Sequence, residues 1–345
     1  MKSERYLICK RRLFAKEWLL FLPIFSLFPA MISCSGGGIG GSGVSISTSA
    51  GEQYGITSIG PVTQMSSIMM VNGIEFKTTG ATVTLDGLTS DVKDIQVGMV
   101  VKVEGSVDAD GKTGSANAIV FEPNALGPID SIDLAKNTLK VMGQTILIDE
   151  QTTFAGLPGS TTGLAGLAAN DLAEISGLTD AGGNIKATRI TRKTDIIRPE
   201  VSGRVSSLPS NAFNINTLTV DYSNAIFDRF GPLGIQPGDF VEIKGNLTSL
   251  TILQADIIEK KSPDFKDGNI EIEGFIDSLF YAGQSISGFA IITPFGLQRV
   301  ELTNSTEFSG GQLDKLKAGA RVEVEGTILN NIMQAKKIAF LSSII

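Results

Sequence analysis

Histidine is absent from all 345 residues, and cysteine occurs only as Cys9 and Cys34. The first absence removes Ser/His/Asp and Cys/His catalysis and histidine-ligated zinc. The second leaves no internal disulfide once a leader carrying Cys9 is cleaved. Aromatics are sparse at 7%, and the one tryptophan, Trp18, lies in the same N-terminal stretch. Carboxylates, Lys, Ser, Thr and Tyr are what remains for chemistry. Basic charge is also scarce beyond the N-terminus. The first 33 residues hold six Lys/Arg against Glu4 and Glu17, leaving 23 basic and 34 acidic residues, a net of -11. A body of that sign repels phosphate backbones, so no nucleic acid partner is expected. Glycine, by contrast, is abundant at 39 residues, which points to short strands joined by many turns and an all-β fold.

The N-terminus reads as an address. A basic stretch precedes the apolar run Leu19 to Ile32, which is too short and too broken by Pro23 and Pro29 for a spanning helix and has the layout of an export signal. Met31-Ile32-Ser33-Cys34 resembles the bacterial lipobox, with Met where Leu is commoner. That resemblance implies acylation of Cys34, attachment through a lipid-anchored N-terminus and, because Ser follows the Cys, the outer membrane of the cell envelope. An ordinary signal peptide with an incidental Cys is the plain alternative. Residues 34–52 open with Ser35-Gly36-Gly37-Gly38, a flexible Gly/Ser tether.

Past the tether one pattern recurs four times without gaps: Ile95 to Gly105, Leu167 to Gly177, Ile235 to Gly245 and Leu316 to Gly326. Its fourth position is Gly98, Asn170, Gly238 or Gly319, residue types that tolerate positive φ and so predict a tight turn. Its second half alternates apolar and polar, as in Val322-Glu323-Val324-Glu325, which predicts a strand with one buried face. Ala116, Ala187, Ala255 and Ala335, each followed three places on by Ile, mark a return strand. Opening strands read at Ile56-Thr57-Ser58-Ile59, Ile129 to Ile132, Val205 to Leu208 and Ile276 to Leu279. The expected organisation is a signal over 1–33, a tether over 34–52, and β-modules over 53–124, 125–197, 198–264 and 265–345. Each module is large enough for a small barrel but buries too little alone, so neighbours should pack together. One helical turn or two is expected near Gly310 to Leu316.

The G-x-I-x-S-I opening, the G-x-x-V-x-V-x-G strand and the A-x-x-I return together resemble the bacterial DUF5666 domain. The resemblance implies four tandem small OB-like β-barrels over nearly all of residues 53 to 341, often found behind a lipoprotein signal. It supplies no catalytic residues, and no cofactor.

Candidate sites are thin. Glu174, Glu242 and Glu323 fall on the polar face of their strands, one to a module, and read as solvated rather than as a glycosidase pair. Asp108-Ala109-Asp110-Gly111 begins like a calcium loop but lacks its later ligands and occupies a hairpin turn, so no metal site is expected. Phe121, Phe154, Phe240 and Phe308 read as barrel filling. Tyr222, Phe230 and Tyr281 are the better material for a ligand surface, with Phe227 and Phe280 beside them. The leading expectation is a non-enzymatic envelope lipoprotein whose modules form a structural or binding array for an envelope polysaccharide or protein. A glycan-binding protein is the alternative, and a carboxylate hydrolase a distant third.

Overall fold

The structure, a computed structural model, describes residues 53–342 with the exception of residue 197. The strands fall into four successive groups. The first holds β1 (Gln53–Met65), β2 (Ile68–Val71), β3 (Ile74–Lys77), β4 (Thr82–Leu85), β5 (Leu88–Ser90), β6 (Val100–Asp108) and β7 (Thr113–Phe121). The second holds β8 (Ala125–Asp133), β9 (Thr138–Val141), β10 (Gln144–Leu147), β11 (Thr153–Ala155), β12 (Leu172–Thr179) and β13 (Ile185–Lys193). In the third are β14 (Glu200–Arg204), β15 (Ala212–Ile215), β16 (Leu218–Asp221), β17 (Ile226–Asp228), β18 (Phe240–Ser249) and β19 (Ile252–Lys260). The last comprises β20 (Gly268–Ala282), β21 (Ser285–Thr293), β22 (Gly296–Glu301), β23 (Glu307–Ser309), β24 (Arg321–Leu329) and β25 (Ile332–Phe340).

Each group closes into a five-stranded barrel of one design. In barrel 1, β1 pairs antiparallel with β2 and β6, β2 with β3, and β6 with β7. The ring shuts through the parallel pair β3–β7, Glu75 opposite Thr113. Parallel pairs shut the others at Ile146 and Ile185, Thr219 and Ile252, and Arg299 and Ile332. In barrel 3 the first seam is reduced to the bridge between Ser207 and Asn214. Closed barrels leave no edge within themselves.

The repeated signature explains the design. Gly98, Asn170, Gly238 and Gly319 have φ of 89°, 71°, 90° and 81°. In each turn that residue's N–H donates to the opening strand, at Val62, Ile129, Val205 and Ile276, and those same four residues donate back to the turn. The turn is thus clipped to the barrel wall by two hydrogen bonds in every copy. The clip also corrects the reading of the first copy. Its equivalent of Gly127-Pro128-Ile129 is Gly60-Pro61-Val62, so the motif lies later than Ile56-Thr57-Ser58-Ile59; β1, like β20, begins earlier than β8 and β14 do.

The closing glycines, Gly105, Gly177, Gly245 and Gly326, all sit at a register shift opposite the return-strand alanines. A Cβ on them would lie 2.1 to 2.3 Å from a carbonyl oxygen of the facing strand. Only glycine lets this bulge form. The alanines and the isoleucines that follow point inward, Ile119, Ile190, Ile258 and Ile338 all being fully buried. Before the signature strand a single 3₁₀ turn appears at Val92–Asp94, Leu164–Gly166 and Leu313–Lys315.

The barrels do not hang as separate beads. β1 pairs parallel with β20, Ile56 to Ile59 lying against Asn269 to Ile272, which joins barrels 1 and 4. β8 pairs antiparallel with β14, joining barrels 2 and 3. One continuous core runs through barrels 2 and 3, and Ile59 of barrel 1 lies in the core of barrel 4. Val100, Leu178 and Phe275, one each from barrels 1, 2 and 4, form a buried hub between them. The Gly98 turn of barrel 1 seats on barrel 2, where the Thr188 hydroxyl and the Arg189 guanidinium donate to its carbonyls.

A candidate binding cleft where three barrels meet

Because the inner face of each signature strand fills its own barrel, the outer face carries the alternating polar residues. In the third copy this face does not meet water at its centre. Glu242 is 6% exposed, and the solvated reading of this position is corrected: alternation reports which face leaves one's own core, and here that face meets the next barrel.

The contact between barrels 1 and 3 is a chain of charges. Lys244 on β18 bonds to Asp86, in the β4–β5 turn, and lies 3.2 Å from Glu200 and 3.4 Å from Glu242. Lys261 lies 2.9 Å from both Glu242 and Glu122. Burial pushes the Glu200 carboxyl up, and Glu242 and Asp86 push it further, to about 10. Glu200 therefore stands neutral at physiological pH. Burial also raises Glu122, with the Lys261 ammonium offsetting part of the effect. Burial acts to lower Lys261 itself, but Glu242 and Glu122 outweigh it and hold the ammonium above its usual value. Glu200 and Glu242 are two carboxyls near one another, yet the Lys244 ammonium fills the space between them. A sugar ring has no room there, which disfavours an acid and nucleophile pair.

This network forms one wall of a cleft of about 840 Å³ bounded by barrels 1, 2 and 3. Its apolar lining comes from Leu85, Leu88, Met99 and Phe121 of barrel 1, Leu126 of barrel 2, Ile196 of the connector and Ile257 of barrel 3. Leu88, at the rim, is 61% exposed. Five basic and five acidic side chains interrupt that lining. Among them Glu174 pairs with Lys193 at 3.0 Å, and Arg189 is held by the Val97 carbonyl and the Thr191 hydroxyl. Burial lowers the Arg189 guanidinium from its ordinary value, with Glu174 opposing. An apolar groove with balanced charge suits a segment carrying both apolar and charged side chains.

The residues nominated from sequence lie elsewhere. Cys34 falls outside the described residues. Tyr222 is half-buried, its ring 5.8 Å from Phe213 and 5.7 Å from Phe227, and Phe227 meets Phe230 edge-on at 5.4 Å. Tyr222 and Phe230 thus belong to one aromatic row on barrel 3, spending ring faces on each other's neighbours. Tyr281, 60% exposed at the end of β20, stands on barrel 4 and takes no part in that row. Asp108 and Asp110 hold their own turn, accepting from Thr113, Gln53 and the Lys112 N–H. Sequence reasoning missed Asp86, Glu200, Lys244 and Lys261. The available signal was the charge at the eighth and tenth signature positions, Lys102 and Glu104 or Glu242 and Lys244, which marks the face used between barrels.

Comparison with known proteins agrees with the repeat geometry. The model of a domain of unknown function, DUF5666, matches residues 56–118, 127–191, 202–259 and 270–339. A search of the curated proteins found no match. Among solved structures, drosophila Unr CSD456 matches at 14% identity over 63% of this chain and 97% of that chain, with a TM-score of 0.16, too low to bear on fold or ligand. Since the family model covers well over half the sequence, in four segments that coincide with four closed barrels, the chain belongs to the DUF5666 family as a four-copy member.

Proposed function

We propose that this protein is a non-enzymatic lipoprotein of the bacterial envelope, held by a lipid on Cys34, whose four barrels act as one rigid block that binds an extended segment of a partner protein. The carrying observation is the fusion of the barrels. Strand pairing between barrels 1 and 4 and between 2 and 3, with the ionic chain between 1 and 3, builds a composite cleft at a three-barrel junction that no single barrel could form. The lipobox and Gly/Ser tether support the anchoring, and the lack of histidine in the sequence supports a non-catalytic role. The glycan reading rests on exposed aromatics, and the aromatic row on barrel 3 is largely committed to its own packing. Outer-membrane placement rests on the residue after Cys34.

The test is a photocrosslinking amino acid placed at Leu88, on the cleft rim, and separately at Leu250, on the distal β18–β19 turn, in the lipidated protein in its own membranes. A discrete protein adduct from Leu88 that Leu250 does not give supports the reading. Equal adducts from both positions, no adduct from Leu88, or a saccharide adduct there in place of a protein, would overturn it.

A further inference from the structure

The fourth barrel repeats the charged arrangement of the third with one change. In barrel 3, Glu200 faces Lys244 across the β14–β18 pair, and Glu242 stands two residues before Lys244 on the same strand. The ammonium sits between the two carboxyls, 3.2 and 3.4 Å away. In barrel 4 the matching residues are Glu271, facing Glu325 across the β20–β24 pair, and Glu323, two residues before Glu325. The lysine has become a glutamate. Three carboxylates occupy positions where the third copy holds two carboxylates and a built-in cation.

Like charges opposite one another in a sheet are destabilising, and the surroundings here do little to relieve them. Among the described residues Lys337, 2.6 Å from Glu325, is the one cation bonded to the group, and Arg321 is committed to Glu273. Glu271 is 7% exposed, and among the described residues its carboxylate has neither a hydrogen bond nor an ion pair. It points with the others into a cleft of about 520 Å³ whose far wall, from barrel 1, carries Tyr54 and the Asp108–Asp110 turn. A nearly buried carboxylate without a partner, aimed at two more, calls for a positive ligand.

We propose that Glu271, Glu323 and Glu325 bind one divalent cation of calcium size on the outer face of barrel 4. Their carboxylate oxygens lie within 4.8 Å of one another. A point shared by three such atoms is at most about 2.8 Å from each, within reach of the 2.3–2.6 Å of calcium–oxygen bonds, and calcium accepts the irregular geometry that magnesium's near-ideal octahedron does not. The open side of the cleft leaves room for the waters that complete calcium's coordination. Lys337 keeps one oxygen of Glu325 and leaves the other to the ion.

The experiment is calorimetric titration of the intact protein in detergent with CaCl₂ and, separately, MgCl₂, alongside melting curves. One calcium per chain is expected, with magnesium weaker by tenfold or more. Above saturation each further tenfold of calcium should raise the melting temperature by roughly 2 °C. Glu271→Gln should leave the metal-free melting temperature unchanged or higher, since it removes a repulsion, and should weaken calcium binding at least tenfold. Glu301→Gln, on the same barrel outside the group, should bind as wild type. Should Glu271→Gln fail to fold, Glu325→Gln at its half-exposed position carries the same test. No calcium uptake by wild type at millimolar concentration, or undiminished uptake by the glutamine variants, would overturn the proposal.

Discussion

Replacing Glu200 by glutamine isolates the chemistry of the contact between barrels 1 and 3. Glu200 is 1% exposed, and its carboxyl is raised from an ordinary carboxylate value to about 10 by burial, Glu242 and Asp86. Its Oε2 lies 3.2 Å from the Lys244 ammonium while its buried Oε1 has no hydrogen-bond partner, and a glutamine keeps the same volume without a titrating proton. The sign follows from where the proton sits. The unfolded chain releases it near pH 4.5 while the folded chain holds it, so folding stability from this group is full below pH 4.5 and is lost as pH rises toward 10. The loss is about 1.36 kcal/mol per pH unit, or about 3 kcal/mol between pH 5 and 7.5. Glu200→Gln has no such proton. Urea unfolding at pH 5, 6, 6.5 and 7.5 should show wild type losing about 3 kcal/mol more than the variant across that range. Parallel pH dependences would refute the claim that a neutral carboxyl is built into this interface.

Three further outcomes are expected. Gly245→Ala places a Cβ about where the Gln254 carbonyl stands, 2.1 Å away, and should cost roughly 2–4 kcal/mol by opening the β18–β19 bulge, read as a lower urea midpoint at constant m. Phe275→Ala removes the largest member of the hub with Val100 and Leu178, at about 3–5 kcal/mol, and hydrogen exchange should speed at β12 while the interior of barrel 3 stays protected. Cys34→Ala should abolish acyl labelling and release the protein from membranes; retained labelling would remove the lipid anchor from the account.

How much of this was legible depended on which surface a residue serves. The four-fold pattern, the tight turn and the return strand were readable because they answer to a barrel's own interior: Asn170 stands where Gly98, Gly238 and Gly319 do, and all four have positive φ. The first opening strand was misplaced because β1 is extended at its start to pair with β20, so Ile56 to Ile59 carry strand-like apolar residues of their own. Pairing between barrels was not legible, since alternation cannot say whether an outer face is wet or docked. Glu242 and Lys244 look like any solvated pair until Glu122 and Asp86, more than a hundred residues upstream, are brought against them. The glutamate triad of barrel 4 was hidden for the same reason: Glu271 is distant in sequence from Glu323 and Glu325, and only the β20–β24 register joins them.

Small-angle X-ray scattering of residues 53–342 tests the single-block arrangement most directly. Four barrels packed as one body of about 290 residues should give a radius of gyration of about 19 Å. A value above roughly 25 Å, as expected of barrels strung on flexible connectors, would contradict it.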